Sequence, residues 1–583
     1  MKRSFPLVLF LLVLGCASAP PRAAEPVHVV IVSTTDVHGW FNGHIESPPG
    51  GGAGVLWGGL PTLASYIDAL RDRDPGRVLV VDSGDLFQGT LESNLFEGEP
   101  VVRGYNAIGY TAAAVGNHEF DFGPVGPDSV ARTPGQDPLG TIKRNAELAM
   151  FPFLSANMLD RATHKTPSWA RPYTLVRAGA ARIGIIGLST PDTPNTTTAA
   201  NVASLEFTDP VPAAVAAAKE LRAQGADAVI VIAHMGGRCN DVSDPHVLAG
   251  CETQQEAMEF LQRIPPGTID AYFAGHTHAQ MRHYVNGVPA VQGLAFSREF
   301  GTVDLWIDAQ HDRVTKSELR PLTMICSFVY SGTETCDPKK APAGATLVPR
   351  VFAGETIAPV SRVASVIDPY LRRTAAKREE KLGIRTSAAI SRAYMEEAPL
   401  GDVLADALRA ATGADLAMMN SGGIRSDLPA GELTYADVFA VSPFDNYPAV
   451  VALTGAEVTG ILQAMSGGAR GIMQVSGLRY TIDEAKDADK PAAERNRVTS
   501  ITLEDSSPLD PAKLYRVAMP DFIAAGGDGT QDVMKNVPKD RIQIFYSTAL
   551  RDAIIDPMRK MPQPLTPDKR GRVTILNHDK APK

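Results

Sequence analysis

The sequence predicts an α/β protein in two parts, a layered β-sheet region followed by a smaller α+β region. With 583 residues the chain is too long for one hydrophobic core, so two large domains are expected. In the first half, six apolar runs of strand length are separated by loops and by segments with helical apolar spacing, such as 60–72 and 212–225. Such runs are typical of strands that are buried on both faces.

A polar residue follows each of these six runs. In chain order, VHVVIVSTT precedes Asp36-Val-His38, VLVVDSG precedes Asp85, TAAAVG precedes Asn117-His118-Glu-Phe-Asp121, RIGIIGLST precedes Pro191-Asp192, AVIVIA precedes His234, and AYFAG precedes His276-Thr-His278. A closing strand is predicted near GTVDLWID. Because ligands of α/β sheets bind beyond the carboxyl ends of the strands, we expect these side chains to converge. Asp192 has no further motif context and is not nominated.

The converging side chains form an oxygen and nitrogen donor set without cysteine, which suits Mn, Fe, Zn, Co or Mg. Two such ions about 4 Å apart would activate a water and stabilise both oxygens of an in-line displacement at phosphorus. The candidate ligands are Asp85 as a bridge, Asp36, His38 and His278 for one ion, and Asn117, His234 and His276 for the other. The sequence therefore predicts two divalent metal ions as cofactors.

Two further polar residues in the third segment are candidates for catalysis. His118 and Asp121 are three residues apart in Asn-His-Glu-Phe-Asp. A carboxylate that orients an imidazole is a common general-acid arrangement. We therefore predict that His118 and Asp121 act as a catalytic dyad.

The chain is predicted to have four parts. Residues 1–26 form a signal sequence and tether, and residues 27–336 form the first domain. Residues 337–385 form a connector that contains a charged, solvated helix, DPYLRRTAAKREEKLG. Residues 386–583 form the second domain, which begins with the helix candidate GDVLADALRAATG and the short run DLAMMN.

The N-terminus predicts export. Lys2 and Arg3 precede an apolar stretch, 7–14, which is too short to span a membrane. The segment VLGC resembles the bacterial lipobox, in which the cysteine, here Cys16, is lipidated. The alternative is simple cleavage after ASA or after AA in the tether. A periplasmic or cell-surface location is expected, with Cys16 as the lipid anchor that attaches the protein to a membrane.

The other four cysteines support an oxidising compartment. Four cysteines allow three pairings. The local pairs Cys239–Cys251 and Cys326–Cys336 need the least chain closure, and each would contribute roughly 2–3 kcal/mol by the chain-entropy argument. Non-reducing mass spectrometry that found four free thiols would contradict this prediction.

The metal-ligand motifs resemble those of a known family. Asp36-X-His38, Gly84-Asp85, Gly116-Asn117-His118-Glu119, His234 and Gly275-His276-X-His278 match, in order, the motifs of the calcineurin-like metallophosphoesterases. The version Gly-Asn-His-Glu-Phe-Asp, followed by a second domain, resembles the exported 5′-nucleotidases. This resemblance implies an αββα sandwich for the first domain, and it places the residues matching His118 and Asp121 near the leaving group.

Three stretches of the second half carry a possible substrate site. They are Asn420-Ser-Gly-Gly-Ile-Arg425, Ser442-Pro-Phe444-Asp-Asn446 and Asp521-Phe522-Ile-Ala-Ala-Gly-Gly-Asp528-Gly. Glycines allow a ligand to approach the backbone, arginine binds phosphate, and two phenylalanines can stack on a base. The stretches resemble the 5′-nucleotidase C-terminal domain, which implies nucleotide binding by Asn420, Arg425, Phe444, Phe522 and Asp528.

One segment departs from the family pattern. Family members often have another phosphate-binding arginine in the segment that matches Glu396–Asp402, where this chain has EEAPLGD. Carboxylates near a phosphate would weaken its binding unless they are paired. This departure predicts either a changed preference among phosphoesters or compensation by Arg392 or Arg409.

The resemblance implies an exported dimetal phosphohydrolase that removes phosphate from nucleotides by attack of a metal-bridging hydroxide. A net charge of −9 gives no reason to expect binding of a nucleic-acid polymer, so the predicted partner is a small nucleotide. The alternatives are a 2′,3′-cyclic-nucleotide phosphodiesterase or UDP-sugar hydrolase and, more distantly, a thiosulfohydrolase-like enzyme. A binding or adhesion module that only keeps the fold would show decayed ligands, and all seven are present. The sequence does not predict an oligomeric state.

Overall fold

The computed structural model of this protein describes residues 25–46, 54–466, 471–486, 490 and 497–577. The first 24 residues, including the predicted lipid anchor Cys16, lie outside this part of the chain. Two large β-sheets form the first half, and the six predicted strands are divided equally between them. No described helix has both the length and the apolar character that a membrane span requires.

The first sheet contains three of the predicted strands and the predicted closing strand. Its strands in spatial order are β16 (Arg313–Leu319), β15 (Glu299–Asp308), β1 (Val27–Thr34), β4 (Val78–Asp82), β5 (Ala112–Ala114) and β6 (Phe153–Leu154), with β17 (Thr323–Met324) beside β15. The central strands β1, β4, β5 and β6 run parallel, whereas β15 is antiparallel to β1. The carboxyl ends of β1, β4 and β5 therefore lie at one edge.

The second sheet contains the other three predicted strands. Its order is β13 (Met281–Val285), β14 (Val288–Gln292), β12 (Ala271–Ala274), β11 (Ala228–His234), β9 (Ala181–Ser189) and β8 (Tyr173–Ala178). The four inner strands are parallel, and an antiparallel strand closes each side. This sheet repeats the pattern of the first, with parallel strands at its centre.

The two sheets pack face to face, and helices cover their outer faces. Ile31 and Val81 of the first sheet share one buried cluster with Ile185, Ile232 and Phe273 of the second. The helices of this half are α1 (Leu60–Arg73), α2 (Leu91–Asn94), α3 (Glu99–Ile108), α4 (Gly140–Leu148), α5 (Thr193–Thr196), α6 (Pro210–Ala223) and α7 (Glu256–Arg263). The helices α1 and α3 share a core with the first sheet, and α6 and α7 share one with the second. The predicted αββα sandwich is confirmed.

Short strand pairs surround this sandwich. They are β2 (His44–Glu46) with β3 (Val55–Trp57), β7 (Met158–Asp160) with β10 (Leu205–Phe207), β18 (Phe328–Tyr330) with β19 (Leu347–Pro349), and β20 (Val351–Phe352) with β21 (Glu355–Thr356). Trp57 of β3 forms an isolated antiparallel β-bridge with Cys326, so the pair β2–β3 lies next to that cysteine.

The connector helix differs from its prediction. Helix α8 (Ser361–Arg378) begins before the predicted segment, and residues 381–386 form strand β22 (Lys381–Thr386) instead of the end of the helix. The helix buries Val363, Ile367 and Tyr370 and packs against α1 and α3. The charged face of the helix is exposed, as expected of a solvated bridging helix, but its apolar stripe covers the first half of the protein. The charges that suggested exposure lie on its other face and in its last turn.

The second half is the predicted smaller α+β region. Its strands are β22 with β24 (Gly431–Thr434); the five-stranded order β26 (Met473–Ser476), β23 (Leu416–Asn420), β29 (Leu514–Pro520), β25 (Pro448–Thr454), β30 (Ile542–Ile544); and β28 (Val498–Leu503), β27 (Leu478–Asp483), β31 (Val573–Leu576). Its helices are α9 (Pro399–Thr412), α10 (Tyr435–Val441), α11 (Gly455–Ala464), α12 (Asp521–Ala524), α13 (Gln531–Met534) and α14 (Leu550–Lys560). Capping boxes at Thr434 and Thr454 fix the starts of α10 and α11.

Both local disulfides are formed. Cys239 is bonded to Cys251 and Cys326 to Cys336, across separations of 12 and 10 residues. The prediction of local pairing is confirmed. The second bridge is buried in a small cluster with Trp57, Val329 and Tyr330.

Removing the Cys239–Cys251 bridge should destabilise the first half of the protein. The double variant Cys239→Ser/Cys251→Ser frees a 12-residue loop, so the free energy of unfolding should fall by roughly 2–3 kcal/mol. Urea denaturation of the variant and of the wild type, both followed by tryptophan fluorescence, would measure the change. An unchanged urea midpoint would contradict the expectation.

Candidate metal and substrate site

The seven candidate metal ligands meet where the carboxyl ends of the two sheets come together. Each follows its strand within four residues, and His234 is the last residue of β11. Two groups have ligand atoms that all lie within 4.8 Å of one another. They are Asp36, His38 and His278, and Asp85, His234 and His276. The convergence expected from the strand ends is therefore present.

In the first group, two imidazole nitrogens and a carboxylate oxygen lie close together. His38 Nε2 lies 3.0 Å from His278 Nε2, and His278 Nε2 lies 3.5 Å from Asp36 Oδ1. The Asp36 carboxylate is held in place by the backbone amide of His276, which donates to it at 3.0 Å, and by the Thr35 hydroxyl at 2.6 Å. The three ligand atoms, which belong to residues that follow β1 and β12, therefore surround a common point.

The second group is equally compact. His234 Nε2 lies 3.0 Å from Asn117 Oδ1 and 3.2 Å from His276 Nδ1. Asp85 Oδ2 lies 3.0 Å from His234 Nε2 and 3.6 Å from His38 Nε2. One oxygen of Asp85 therefore lies between the two groups, as a bridging ligand requires.

Hydrogen bonds to the backbone fix the orientation of two imidazoles. His38 Nδ1 lies 2.7 Å from the carbonyl oxygen of Gln88, and His234 Nδ1 lies 2.9 Å from that of Ser83. A carbonyl accepts but cannot donate, so Nδ1 carries the hydrogen in both rings and Nε2 is left to bind a metal ion. Such support is typical of imidazoles that are metal ligands.

Burial also favours the neutral imidazoles that metal binding requires. It lowers the pKa of His38 and of His278 well below the usual value, and it lowers the pKa of His276 to about 3. Burial opposes charge on His234 and Asp85 too, but their attraction outweighs it, raising the pKa of His234 and lowering that of Asp85. A cation between them would replace the proton on His234. The donor set therefore fits divalent ions.

The ligand loops adopt an unusual backbone conformation. Five of the seven candidates have a left-handed φ, a region that side chains other than glycine rarely occupy. These are Asp36 (49°), His38 (48°), Asp85 (59°), His276 (82°) and His278 (54°). Strain of this kind persists only where surrounding contacts impose it.

Glu119 supplies part of that constraint, and sequence reasoning gave it no role. Its side chain is buried and accepts hydrogen bonds from the backbone amides of Asp85 at 2.9 Å, Leu86 at 2.6 Å and Gly116 at 2.7 Å. It thus joins the loop after β4 to the loop after β5. Gly116 must lack a side chain, because a Cβ atom there would collide with the Asp85 carboxylate.

The predicted dyad is formed in a short 3₁₀ turn. His118 Nδ1 lies 2.6 Å from Asp121 Oδ2, and the Thr197 hydroxyl donates to Asp121 Oδ1 at 2.7 Å. Burial opposes protonation of His118, but the charges of Asp121 and Asp85 outweigh it and raise the pKa of His118. The His118 amide also donates to Asp85 Oδ1 at 2.9 Å, which connects the dyad to the bridging carboxylate.

A cavity of about 440 Å³ joins the two halves of the protein at this site. Asp85, Asn117, His118 and His276 line one end of it. All five substrate residues nominated from the sequence line the other parts, namely Asn420, Arg425, Phe444, Phe522 and Asp528. The structure thus brings the metal, dyad and substrate candidates to one space.

The phosphate candidate Arg425 reaches the metal groups. Its Nη2 lies 3.5 Å from His38 Nε2, and its guanidinium carbon lies 5.7 Å from the centre of the Phe444 ring. The Phe444 ring in turn lies 5.4 Å from the His118 ring. Burial, and then the positive charge of Arg392, lower the pKa of Arg425. Arg392 lies next to Arg425 in the structure, with its Nη1 donating to the carbonyl of Ile424 at 3.4 Å.

The remaining substrate candidates lie at the end of β23, in α12 and in the short 3₁₀ turn after α12. Asn420 Nδ2 donates to Asp528 Oδ2 at 2.6 Å, so the two residues form one polar group. The Phe522 ring lies directly on Gly527, where a Cβ atom would collide with it. The two nominated phenylalanines line the cavity from different segments, Phe522 from α12 and Phe444 from the segment between α10 and β25.

A loop of the first half, residues 129–132, lines the cavity and contacts the second half. Ser129, Val130 and Ala131 line it, and the Ser129 hydroxyl donates to the carbonyl of Asp445 at 3.2 Å. The guanidinium carbon of Arg132 lies 4.7 Å from the ring centre of Tyr447 and 4.4 Å from that of Tyr546. This contact, which sequence reasoning missed, attaches the loop to the second half.

The acidic segment 396–402 does not face the phosphate end of the cavity. Glu397 accepts from the backbone amide of Arg572 at 2.8 Å, and Asp402 accepts from that of Arg570 at 3.0 Å. Glu396 pairs with Lys569 at 2.7 Å. The carboxylates of this segment bind the C-terminal segment next to β31, so they are paired and the condition for weakening phosphate binding is not met. Of the two proposed compensating arginines, Arg409 pairs with Glu504 at 2.9 Å, away from the site.

Comparison with known proteins agrees with this geometry. Residues 29–280 match the family model of the calcineurin-like phosphoesterases, and residues 374–536 match that of the 5′-nucleotidase C-terminal domain. The chain thus carries a calcineurin-like phosphoesterase domain followed by a 5′-nucleotidase C-terminal domain. The prediction of a metal-dependent hydrolase of the 5′-nucleotidase type is thereby confirmed at the level of the family.

The similarity to individual members extends over most of the chain. A relative named 5′-nucleotidase from Vibrio cholerae is 27% identical over 558 residues, which cover 88% of this chain and 88% of the relative. The crystal structure of a 5′-nucleotidase precursor from Thermus thermophilus matches with a TM-score of 0.72 at 24% identity, over 94% of this chain and all of that one. The sulfate thiohydrolase SoxB from the same organism shares the fold, with a TM-score of 0.69 at 17% identity, over 96% and 98% of the two chains.

Proposed function

We propose that this protein is an exported phosphohydrolase that removes phosphate from nucleotides with two divalent metal ions. One observation carries the proposal. The candidate metal ligands, the His118–Asp121 dyad and the five candidate substrate residues all meet at one cavity or directly behind it. A surface binding module would not need two inward-facing donor groups beside a hydrogen-bonded dyad.

In this proposal one ion would be held by Asp36, His38 and His278 and the other by Asn117, His234 and His276, with Asp85 as a ligand available to both. Bound divalent ions would lower the pKa of a water and neutralise charge that develops on the phosphoryl oxygens. The chain fixes the donors through Glu119 and through the carbonyls of Gln88 and Ser83. The identity of the metal depends on availability as much as on this donor set.

His118 acts in this proposal on the leaving group. As the bond between phosphorus and the ester oxygen breaks, that oxygen gains negative charge, and His118 Nε2 donates a hydrogen bond or a proton to it. Asp121 holds Nδ1 at 2.6 Å and stabilises the protonated ring. Thr197 in turn fixes the unused oxygen of Asp121.

The second half of the protein presents the nucleoside. Arg425 binds the phosphate, the Phe444 and Phe522 rings contact the base, and Asp528 with Asn420 accepts hydrogen bonds from hydroxyl or amino groups of the nucleoside. This assignment is supported by their shared cavity and by the match to a 5′-nucleotidase C-terminal domain.

Replacing Arg425 with alanine should weaken substrate binding more than it slows the chemical step. A hydrogen bond to a charged group contributes about 1.5–3 kcal/mol, which corresponds to a rise in KM of roughly 10- to 150-fold. Initial rates with a nucleoside monophosphate would give KM and kcat separately. Arg409→Ala, whose side chain pairs with Glu504 away from the cavity, is the matched control. A KM within twofold of that of wild type would remove Arg425 from the phosphate site.

The proposal also includes export of the protein from the cytoplasm. It is supported by the predicted signal sequence and by two disulfides, which are typical of oxidising compartments. Lipidation of Cys16 is the proposed anchor. Mass spectrometry of the mature N-terminus would distinguish a lipidated cysteine from simple cleavage in the tether.

A panel of hydrolysis assays on one purified, metal-analysed sample, with the organic products and inorganic phosphate both quantified by chromatography, tests the function. We expect nucleoside 5′-monophosphates to be the preferred substrates, and 2′,3′-cyclic nucleotides and UDP-sugars to be slower. If a cyclic nucleotide or a UDP-sugar were preferred, the alternative activities would replace this proposal. Sulfate release from a thiosulfate ester without any phosphate release would favour the thiosulfohydrolase alternative instead.

A further inference from the structure

Phe296 lies in the loop between β14 and β15 and contacts two candidate metal ligands. The centre of its ring lies 5.1 Å from that of His278, at an interplanar angle of 81°, and 5.7 Å from that of His38. It is not a metal ligand and does not line the cavity around the site.

The backbone at Phe296 is strained in the same way as that of the ligands. Phe296 has a φ of 68° and the next residue, Ser297, a φ of 56°, so two consecutive side-chain-bearing residues are left-handed. The Phe296 amide donates to the carbonyl of Asp36 at 2.7 Å. Gly58 packs so closely on the other side that a Cβ there would collide with the Ser297 carbonyl. The fold thus holds this loop against the Asp36 loop at an energetic cost.

Within the described ranges, His278 lacks the backbone hydrogen bond that orients two of the other imidazoles. The carbonyls of Gln88 and Ser83 fix His38 and His234, and the His276 ring contacts His234 through Nδ1 at 3.2 Å. In the part of the chain that the structure describes, no protein group forms a hydrogen bond with His278 Nδ1. The contacts of the His278 ring that remain are the edge-on contact with Phe296 and those with His38 and Asp36.

We propose that Phe296 is a positioning residue that orients His278 for the metal ion bound with Asp36 and His38. The ring takes, by aromatic contact, the place of the hydrogen bond that orients His38 and His234. Trp40 and Arg298 contact Phe296, with Trp40 at 5.9 Å between ring centres and the guanidinium carbon of Arg298 at 5.1 Å. They keep the Phe296 ring from turning away. This inference rests on the proposed metal site and extends it to a residue without donor atoms.

The test compares metal binding by Phe296 variants with that of the wild type. Metal-free samples of wild type, Phe296→Ala, Phe296→Leu and Phe296→Trp are titrated with Mn²⁺, and the ions retained after gel filtration are counted by mass spectrometry. Wild type should retain two ions per chain. In Phe296→Ala and Phe296→Leu one site should be weakened by roughly 10- to 100-fold, the usual loss when support of a ligand is removed. Phe296→Trp, which keeps an aromatic edge, should restore most of the affinity.

The controls separate loss of orientation from loss of fold. Phe328→Ala, at an aromatic residue that is 49% exposed, should bind both ions as wild type does. Phe296→Leu keeps the apolar volume, and its far-ultraviolet circular dichroism should match that of wild type. Excess Mn²⁺ should restore kcat in Phe296→Ala, which a misfolded variant would not show. If Phe296→Ala and Phe296→Leu bound two ions with wild-type affinity, the inference would be overturned. If the wild type bound fewer than two ions, the proposed metal centre itself would fail.

Discussion

Replacing Asp85 with asparagine is expected to lower kcat for nucleoside monophosphates by at least about 100-fold, because charge stabilisation by bound metal ions contributes several kcal/mol. Asp85 Oδ2 lies between the two donor groups, and an amide oxygen there would be neutral and a weaker bridge. The number of ions retained per chain should fall together with kcat. Steady-state rates and metal analysis of the same sample would show both effects.

Asp192→Asn provides a matched control for this substitution. Asp192 also follows a strand of the sandwich, but its Oδ1 accepts a hydrogen bond from Asn195 at 2.8 Å, and it belongs to neither donor group. Its substitution should leave kcat within twofold of that of wild type. Full activity of Asp85→Asn with two bound ions would refute the assignment of Asp85 as the bridge.

Replacing His118 with alanine should slow the reaction without removing the metal ions. A positioned proton donor contributes roughly 10²- to 10⁴-fold, so kcat for nucleoside monophosphates should fall by that factor. The loss should be much smaller for p-nitrophenyl phosphate, whose leaving group is stable without a proton. Rates with both substrates, measured at saturating Mn²⁺, give the comparison.

The control for His118 is His246→Ala. His246 stacks on Tyr284 with ring centres 4.9 Å apart and belongs to neither donor group, so its loss should leave both rates unchanged. An equal loss of rate with the two substrates in His118→Ala would mean that His118 does not act on the leaving group. Loss of bound metal in that variant would assign it to the metal centre instead.

Much of the site could be predicted because its residues follow strands in sequence. Asp36, Asp85 and His234 directly follow long apolar runs, and parallel strands bring such positions to one edge. The sequence predicted these runs as strands of a sandwich, but the order and register of the two sheets became visible only in the structure. Strand order depends on packing between residues that are far apart in sequence, and no local pattern records it.

The residues that were missed or misplaced all depend on distant partners. Glu119 binds the backbone of the loop after β4, more than 30 residues earlier, and Phe296 acts on His38 and His278 through ring contacts alone. The acidic segment was assigned to the phosphate because its partners at 570–572 lie about 170 residues away. The one local signal that could have identified Glu119 was its position inside a motif of candidate ligands.

The contact of Arg132 with Tyr447 and Tyr546 adds a noncovalent link between two halves that the chain already joins through α8. A second link of this kind is the hydrogen bond that Asn94 Nδ2 donates to the carbonyl of Pro443 at 2.9 Å. Any motion that separated the halves would have to break both contacts, whereas the covalent connection would persist. The cation–π contact, worth about 0.5–2 kcal/mol, would therefore oppose such a motion.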